Sequence, residues 1–426
     1  MAGAAGGMSE GEKVLRDPVY GYVYIHDPLI WAIVNTPEVQ RLRRIRQLGP
    51  AYLTYPGGEH SRFSHVLGTY EVVRRLLQAF GREQQGLAPA RGRLAMVAGL
   101  LHDLGHGPFS HALEHVWGPS HEEWGAKILE DGRTTLHQVL ADCEPSLPSQ
   151  VADVLLKRHP DRLVTSIVSG QLDADRLDYL RRDALYCGVD YGQFNLDRIL
   201  RVVQPLGDRV VVKPTGLQTV EAYLLARYFM YGQVYFHPVC RSAEVVLRQV
   251  MSRARALAAG GAAPWAPAPL DRWLGGGRLG VPEYLALDDS HVMVALQSWR
   301  TSDDAVLADL AARMLDRRLF RYSDFPPGFD LRALGRAQQA VANHGFDPAY
   351  YLQVDEALGV YYDYYLGGEG TAGGSEPLYV WDGSTLVEMS SVSAPVQAIA
   401  RERHGQRRLY FPAEVEPVVV EQLNTR

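Results

Sequence analysis

The chain has little cysteine, no long apolar run and no excess of positive charge, and each shortage excludes a class of protein. Its three cysteines, Cys143, Cys187 and Cys240, are too few and too scattered for a disulfide framework or a cysteine-based zinc site. No stretch approaches the roughly 18 uninterrupted apolar residues of a transmembrane helix. The first residues, MAGAAGGMSEGEK, lack the basic start and apolar core of a signal peptide. We therefore expect a cytoplasmic protein with no membrane partner.

The overall charge is mildly acidic. A formal net charge of −6 and a pI near 6.2 argue against a surface that binds nucleic acid or anionic membrane over its whole area. A local basic groove remains compatible with these values, so nucleic-acid binding stays an alternative that we do not favour. With 426 residues, 46% hydrophobic and 22% charged, the chain is long enough for a large core and a smaller satellite.

Hydrophobic spacing predicts a mainly α protein with a smaller α+β part at its C-terminal end. DPVYGYVYI near the start favours a short hairpin, and RVVVK at 209–213 favours a strand. Helical spacing is found in TPEVQRLRRIRQLG, GTYEVVRRLLQAF, RLAMVAGLLHDLGH, LALDDSHVMVALQSW and DAVLADLAARMLDRRLF. Later segments are β-rich, namely GVYYDYY, EPLYVWDG and STLVEMS, with the break GGEGTAGG among them. We expect a flexible start over 1–12, a helical core over 13–325 and an α+β region over 326–426.

The stretch LLHDLGHGPFSH, residues 100–111, carries the chemistry. An apolar helix ends in His102-Asp103, and two such side chains are costly to bury without a partner. Neutral imidazole and carboxylate together suit a divalent transition metal such as iron, manganese, zinc or nickel. A metal needs further ligands, and two residues can supply them: His65, at the end of the expected turn YPGGEHSRFSH, and Asp175 in SGQLDADRLDYLRRD. The pattern predicts a metal site of His65, His102, Asp103 and Asp175.

Two helical faces indicate what such a metal would act on. Asp175, Arg176, Tyr179 and Asp183 fall at i, i+1, i+4 and i+8, which places them on one broad face. Cationic and aromatic groups also share a stripe at i, i+4 and i+8 of LLARYFMYGQVYFH, where they are Arg227, Tyr231 and Tyr235. Cations and rings beside a metal suit an anionic, ring-bearing substrate such as a nucleotide.

Each of these residues alone has a simpler interpretation. A single buried histidine is more often a hydrogen-bonded core residue, and an aspartate near an arginine is more often a surface pair. The joint pattern is what favours a functional site.

The motifs R-F-S-H, H-D-L-G-H-G-P-F-S-H and D-x-D-R-L-D-Y-x-x-R-D resemble those of the HD-domain phosphohydrolases. The resemblance runs from about Val14 to His237 and is strongest to the deoxynucleotide triphosphohydrolase branch, in its shorter bacterial form without a SAM domain. It implies a helical HD core that hydrolyses a deoxynucleoside triphosphate (dNTP) to deoxynucleoside and tripolyphosphate, with Mg²⁺ accompanying the triphosphate.

The resemblance also implies residue roles. The same four metal ligands are implied, with His106, His111 and His121 at the scissile bond and Glu114 orienting one of them. The triphosphate would contact Arg62, Arg176, Tyr179 and Arg227. The sugar would contact Gln47, Leu48, Asp183 and Tyr235. A nucleotide activator between subunits of a homotetramer would contact Lys13, Val14, Gln40, Arg43 and Arg198.

This sequence departs from the family pattern at several positions. Arg176 replaces a lysine, which preserves phosphate binding, whereas Pro238 replaces another lysine and removes a phosphate contact. In the activator site, Asn35 replaces the aspartate that reads guanine, and Arg16 replaces an asparagine. An amide offers one acceptor where guanine presents two donors, so guanine-specific activation is not expected. Hydrolysis of another nucleotide stays the main alternative, because a fold does not fix a substrate.

Overall fold

The computed structural model describes residues 12–82, 86–325, 331–359, 377–401 and 404–424. Within these ranges helices dominate and the sheets are small, so the expected mainly α fold with a smaller α+β part is confirmed. Residues 1–11 of the predicted flexible start lie outside the described residues. So do GVYYDYY beyond Gly359 and the whole of GGEGTAGG.

The helices up to residue 202 surround the predicted metal ligands. They are α1 (Pro28–Val34), α2 (Pro37–Arg41), α3 (Arg62–Arg82), α4 (Pro89–Leu101), α5 (Glu114–Trp117), α6 (His121–Glu130), α7 (Thr135–Cys143), α8 (Leu147–Leu155), α9 (Arg162–Ser169), α10 (Ala174–Cys187) and α11 (Leu196–Val202).

The remaining helices cover the other side of the core and extend through the C-terminal part. They are α12 (Leu217–Met230), α13 (Pro238–Ala259), α14 (Leu270–Leu274), α15 (Val281–Ala286), α16 (Asp289–Trp299), α17 (Ala305–Leu315), α18 (Leu331–Asn343), α19 (Pro348–Tyr351), α20 (Met389–Val392), α21 (Ala394–Arg401) and α22 (Glu416–Asn424).

The strands form three small sheets. The first is the predicted hairpin, β1 (Lys13–Asp17) with β2 (Gly21–Ile25), paired antiparallel with Val14 opposite Tyr24. The other strands are β3 (Val203–Leu206), β4 (Arg209–Val212), β5 (Arg321–Asp324), β6 (Gln353–Gly359), β7 (Tyr379–Trp381), β8 (Leu386–Glu388) and β9 (His404–Phe411). Their orders are β3-β4-β7-β8 and β5-β9-β6.

Both larger sheets cross the predicted boundary at residue 325. β7 pairs parallel to β4 through Val380 and Val212, and β9 pairs antiparallel to β5. Strands from the C-terminal part therefore complete sheets that begin in the helical core. The division at 325 itself stays a prediction.

Close packing of α3 against α4 and α10 brings the predicted ligands together. Fully buried Val73 and Leu100 belong to the apolar core at this junction. A Cβ at Gly68 would overlap the carboxylate of Asp178, so α10 can approach α3 this closely only because that position carries no side chain. The contact sets the distance between the first turns of α3 and α10.

Two local predictions were wrong. The predicted helix TPEVQRLRRIRQLG ends as an α-helix at Arg41, and after one 3-10 turn the chain is extended at Ile45. Its backbone pairs instead with the segment before α3, where Arg62 N donates to Ile45 O at 2.9 Å. The RFSH motif, predicted as a turn, forms the first turn of α3.

The predicted stripe in LLARYFMYGQVYFH changes phase in its middle. α12 ends at Met230, and a π-helical turn covers Tyr231–Tyr235. The wider turn rotates Tyr231 and Tyr235 relative to Arg227. Such turns commonly occur at functional sites.

No helix in the described ranges combines the length and hydropathy needed to cross a bilayer.

Candidate active site

Four side chains from three helices meet at one point. His65 Nε2 lies 3.1 Å from His102 Nε2 and 3.1 Å from Asp175 Oδ1, and His102 Nε2 lies 3.5 Å from the same oxygen. Asp103 adds its Oδ1 at 3.4 Å from His102 Nε2 and its Oδ2 at 3.6 Å from His65 Nε2. His65, His102 and Asp175 therefore offer three ligand atoms that could hold one metal ion, and Asp103 contacts both histidines while it also pairs with Arg62.

The outer nitrogens of the two histidines already have partners. His65 Nδ1 faces Asp178 Oδ2 at 2.8 Å, and His102 Nδ1 faces Gly99 O at 2.9 Å. Because both partners are acceptors, each Nδ1 carries a proton and each Nε2 is directed into the cluster. Two Nε2 atoms 3.1 Å apart need a cation between them, either a proton or a metal ion. The donor set thus fits a divalent metal.

The electrostatics of this cluster favour positive charge. Burial opposes protonation of His65, but its hydrogen bonds to Asp175 and Asp178 and the charge of Asp103 together raise its pKa to about 10. Burial also opposes ionisation of Asp103, yet the Arg62 guanidinium holds that pKa well below its usual range. Carboxylates that stay ionised around two imidazoles form a cation site.

Three more histidines lie beside this cluster. The rings of His106 and His121 stack with centroids 4.0 Å apart, and His111 stands edge-on to His106 at 4.7 Å. Glu114 accepts from His111 Nδ1 at 2.7 Å and from His121 Nδ1 at 2.5 Å. His106 Nε2 lies 3.2 Å from Asp103 Oδ1, which links the two clusters.

These histidines differ in their affinity for a proton. Burial lowers the pKa of His106 well below its usual range, and the nearby Arg62 adds to the effect. Burial also disfavours the charge on His121, but the hydrogen bond to Glu114 raises its pKa overall. Burial opposes ionisation of Glu114, while the bonds from His111 and His121 hold its pKa far below its usual range. The cluster can therefore keep a proton on His121 next to a neutral His106.

A strained turn delivers these histidines to the site. Phe109 and Ser110 have φ of 58° and 52°, in the left-handed region. The Asp289 carboxylate holds the turn, because it accepts from Phe109 N at 2.7 Å and from Arg46 N at 3.0 Å. A Cβ at Gly105 would overlap the His121 carbonyl, so the start of α6 packs directly on the turn.

The opposite end of the site is built from aromatic and polar side chains. Tyr235 donates its hydroxyl to Asp183 Oδ2 at 2.8 Å, and His60 Nε2 lies 2.7 Å from the other oxygen of that carboxylate. The Tyr179 ring stands edge-on to Tyr235 at 6.0 Å. Gln47 is buried, and its Oε1 has no hydrogen-bond partner in the described part of the chain. This end closes a cavity of about 440 Å³.

Models of known protein families match the residues that form these clusters. An HD-domain model matches residues 62–182, and a model of the HD-associated region matches residues 194–263. The uncharacterized protein YwfO of Bacillus subtilis is 42% identical over 416 residues, 97% of this chain and 95% of its own length.

The chain belongs to the HD-domain phosphohydrolase family.

Other relatives of this HD phosphohydrolase carry a more specific description. The human deoxynucleoside triphosphate triphosphohydrolase SAMHD1 is 29% identical over 285 residues, 57% of this chain and 44% of the human protein. The bovine protein of the same name is 43% identical over 224 residues, 44% of this chain and 38% of its own length. A phosphohydrolase structure from Bacteroides thetaiotaomicron superposes with a TM-score of 0.81 at 28% identity, and the match covers 94% of this chain and 99% of that one.

Most of the sequence-predicted site residues of this HD phosphohydrolase line the cavity. They are Gln47, Leu48, Arg62, His102, Asp103, His111, His121, Asp175, Arg176, Tyr179, Asp183, Tyr231 and Tyr235. His65, His106 and Glu114 lie behind that lining and contact its members. Arg227 is not among the lining residues, and its Nη1 donates to Gln171 Oε1 at 2.9 Å. Its phosphate contact stays a prediction.

Sequence reasoning missed three residues that hold the HD site in place. Asp178 orients His65, and its place in the D-R-L-D-Y motif was a usable signal. His60 holds Asp183 from within a glycine-rich turn, and Asp289 holds Phe109 from 180 residues away. No local pattern marks either of these two, because their partners are distant along the chain.

Proposed function

We propose that this HD phosphohydrolase hydrolyses dNTPs to deoxynucleoside and tripolyphosphate. One observation carries the proposal. A single cavity joins the His/Asp cluster, the Glu114-held histidines and the end closed by Tyr235 and Asp183. The His/Asp cluster suits phosphate activation, and the histidines bound to Glu114 suit proton transfer. The end closed by Tyr235 and Asp183 suits a sugar without a 2′-hydroxyl. The similarity to the human and bovine deoxynucleoside triphosphate triphosphohydrolases supports the same substrate.

The proposed reaction breaks the bond between the α-phosphorus and O5′ of the nucleotide. A divalent cation, when bound, supplies a Lewis acid for the α-phosphate and a more acidic water. Arg62 and Arg176 hold the triphosphate and offset its charge. Water oxygen bonds to phosphorus while O5′ leaves with the bonding pair. His111 and His121, which line the cavity and bind Glu114, supply the proton that O5′ takes up.

The closed end would select the sugar. Asp183 and the unpartnered Gln47 Oε1 can accept from a 3′-hydroxyl. Tyr235 is fixed by its bond to Asp183, so its ring cannot swing aside for a 2′-hydroxyl. The proposal therefore includes discrimination against ribonucleotides.

We also propose that a nucleotide activator binds between subunits of a homotetramer. In the structure Arg43 stacks on the Phe63 ring at 3.6 Å and donates to Gln40 Oε1 at 2.8 Å. Lys13 and Val14 lie on β1, and Arg198 lies in the first turn of α11. Asn35 donates one N–H of its side-chain amide to Trp31 O at 2.7 Å, and its single carbonyl oxygen is one acceptor for the two donors of guanine. For that reason we do not expect the activator to be read as guanine.

A product assay tests the function. The purified chain is incubated with each dNTP singly and with all four mixed, in Mn²⁺ or Mg²⁺, and the products are separated by chromatography. Deoxynucleoside and tripolyphosphate in equal amounts are expected, and turnover only in the mixture would indicate activation. The His102→Ala variant is the matched inactive control. Release of monophosphate or pyrophosphate, or no dNTP turnover by metal-loaded protein, would contradict the proposal and favour another nucleotide as substrate.

A further inference from the structure

Lys157 has a left-handed backbone conformation and lies in the lining of the cavity. It follows Leu156, the C-cap residue of α8, has φ of 57°, and lines the cavity together with Arg176 and Ser169. Glycine is the common residue at this left-handed position after a helix, because a Cβ there costs about 1 kcal/mol. A lysine that adopts this costly conformation indicates that its side chain has a function.

The other non-glycine residues with positive φ each have such a use. In the described ranges they are Phe109, Ser110 and Arg317. The Phe109 ring is fully buried in the core, and Ser110 Oγ accepts from Arg62 Nε at 3.0 Å. Arg317 also follows a helix, α17, and its Nε donates to Leu53 O at 2.6 Å. Arg317 is the direct comparison, since it is a basic residue at the same kind of position with an internal partner.

Lys157 differs from the other fixed cations of the cavity in its charge balance. Arg62 is paired with Asp103, and Arg176 with Asp173. Arg241 binds both oxygens of Asp355 at 2.9 and 2.7 Å. The Lys157 backbone N–H donates to Val154 O at 3.0 Å. Its ammonium makes no hydrogen bond or ion pair with the part of the chain that the structure describes, so this charge is uncompensated.

The cavity needs such a charge if it holds a triphosphate. Arg62, Arg176 and Arg241 can still donate to phosphate oxygens, but each shares its charge with a carboxylate, and Glu122, Asp183 and Glu244 add further negative charge to the lining. The buried His/Asp cluster takes the α-phosphate under the proposed function, and Lys157 is exposed at the rim. Lys157 and Arg176 line the same cavity, so a phosphate chain that runs outward from the cluster past Arg176 would reach Lys157 under the proposal below.

We propose that Lys157 binds the terminal phosphate and makes this site selective for triphosphates over diphosphates. The proposal rests on the proposed function. It also accounts for an uncompensated ammonium at a position where glycine would be more stable.

The decisive variant is Lys157→Gly, which removes the charge and relaxes the backbone. We expect its melting temperature to equal or exceed that of the wild type, so loss of folding cannot explain a defect. The KM for dNTP should rise about fivefold, as for one exposed charge-assisted contact, with kcat within about twofold. The inhibition constant of the matching dNDP should not change. Arg158→Ala, one residue further and also exposed, is the matched control and should leave all values unchanged.

Calorimetry with inorganic tripolyphosphate and the metal-loaded full chain separates this proposal from the proposed function. Lys157→Gly should weaken tripolyphosphate binding about fivefold and Lys157→Arg should retain it. If the wild type hydrolyses no dNTP, the proposed function fails and this measurement alone decides the role of Lys157. Equal tripolyphosphate affinity in Lys157→Gly and wild type, or a KM that does not move, would overturn the proposal.

Discussion

The two histidine clusters of the cavity use similar side chains for different tasks. In the metal cluster, His65 and His102 have separate Nδ1 partners, Asp178 and the Gly99 carbonyl, and their Nε2 atoms face one another. In the second cluster, His111 and His121 share one carboxylate, Glu114. The first arrangement directs two ring nitrogens and nearby carboxylates to one point and can therefore hold a metal ion. The second shares one negative charge between two imidazoles and therefore holds a proton.

The difference shows that the partner of the far nitrogen, more than the histidine itself, sets the role. A carbonyl and a private carboxylate each fix one tautomer. A shared carboxylate stabilises an imidazolium. Substitutions that change only these partners can test whether the two clusters have different roles.

The largest effect is expected from removing a metal ligand. His102→Ala should abolish bound metal and lower hydrolysis by about a thousandfold or more, because the Lewis acid and its acidified water are lost together. Metal content by elemental analysis and product formation are measured on the same sample. His344→Ala, an exposed histidine in the C-terminal part, is the control. Near-normal turnover in His102→Ala would mean that the assigned cluster is not the reaction centre.

Glu114→Gln should separate the two clusters. We expect kcat to fall about a hundredfold while bound metal stays at the wild-type level, since only the proton donors lose their partner. Glu130→Gln, at the exposed end of the same helix as His121, is the control. Loss of metal from Glu114→Gln would show that the clusters are not independent.

The pH profile sharpens the same contrast. The pKa of His121 is raised above its ordinary value of 6.5, so the donor proton is present below the raised pKa and lost as the pH increases through it. Activity should therefore fall on the basic side. In Glu114→Gln that basic limb should move to lower pH, because the carboxylate no longer stabilises the imidazolium. If the basic limb of the Glu114→Gln profile does not move, the proton donor is a group other than His121.

Tyr235→Ala should reduce sugar discrimination by about tenfold without loss of metal, because it removes the ring that closes the sugar end. Hydrolysis of matched dNTP and NTP pairs measures the ratio. Tyr235→Phe keeps the ring and should lose less of this discrimination, since only the hydrogen bond to Asp183 disappears. Tyr191→Ala, on an exposed tyrosine, is the control. An unchanged ratio in Tyr235→Ala would remove the assignment of this residue to the sugar.

The smallest effect is expected at His60, which positions Asp183. His60→Ala should raise the KM for dNTP about threefold with little change in kcat, because Asp183 loses its contact with His60 but keeps the hydrogen bond from Tyr235. His60→Gln retains a donor and should recover most of the loss. Equal defects in both variants would point to packing against Tyr186, whose ring stacks on His60 at 4.4 Å.

The sequence predicts this site well where the information is local. Helical spacing alone puts Asp175, Tyr179 and Asp183 on one face of α10, and all three line the cavity. His102-Asp103 stands out because polar residues end an apolar helix. Within a helix the backbone fixes which residues are neighbours.

Contacts between distant segments could not be predicted in this way. The chain leaves its helix at Ile45 because it pairs with residues near Arg62, and Asp289 holds a turn 180 residues away. The π-helical turn at Tyr231–Tyr235 has no sequence period of its own. Such features depend on tertiary packing, which overrides local propensity.

The central strand of the C-terminal sheet has a consequence for the order of synthesis. β9 lies between β5 and β6, and its Arg408 donates to the carbonyl of Phe236, a cavity-lining residue, at 2.8 Å. A ribosome makes the chain from its N-terminus, so every predicted metal ligand emerges long before residue 408. The cavity wall around Phe236 gains this contact only when translation has nearly ended. The residues of the predicted metal site are thus made well before the strand that supports the cavity.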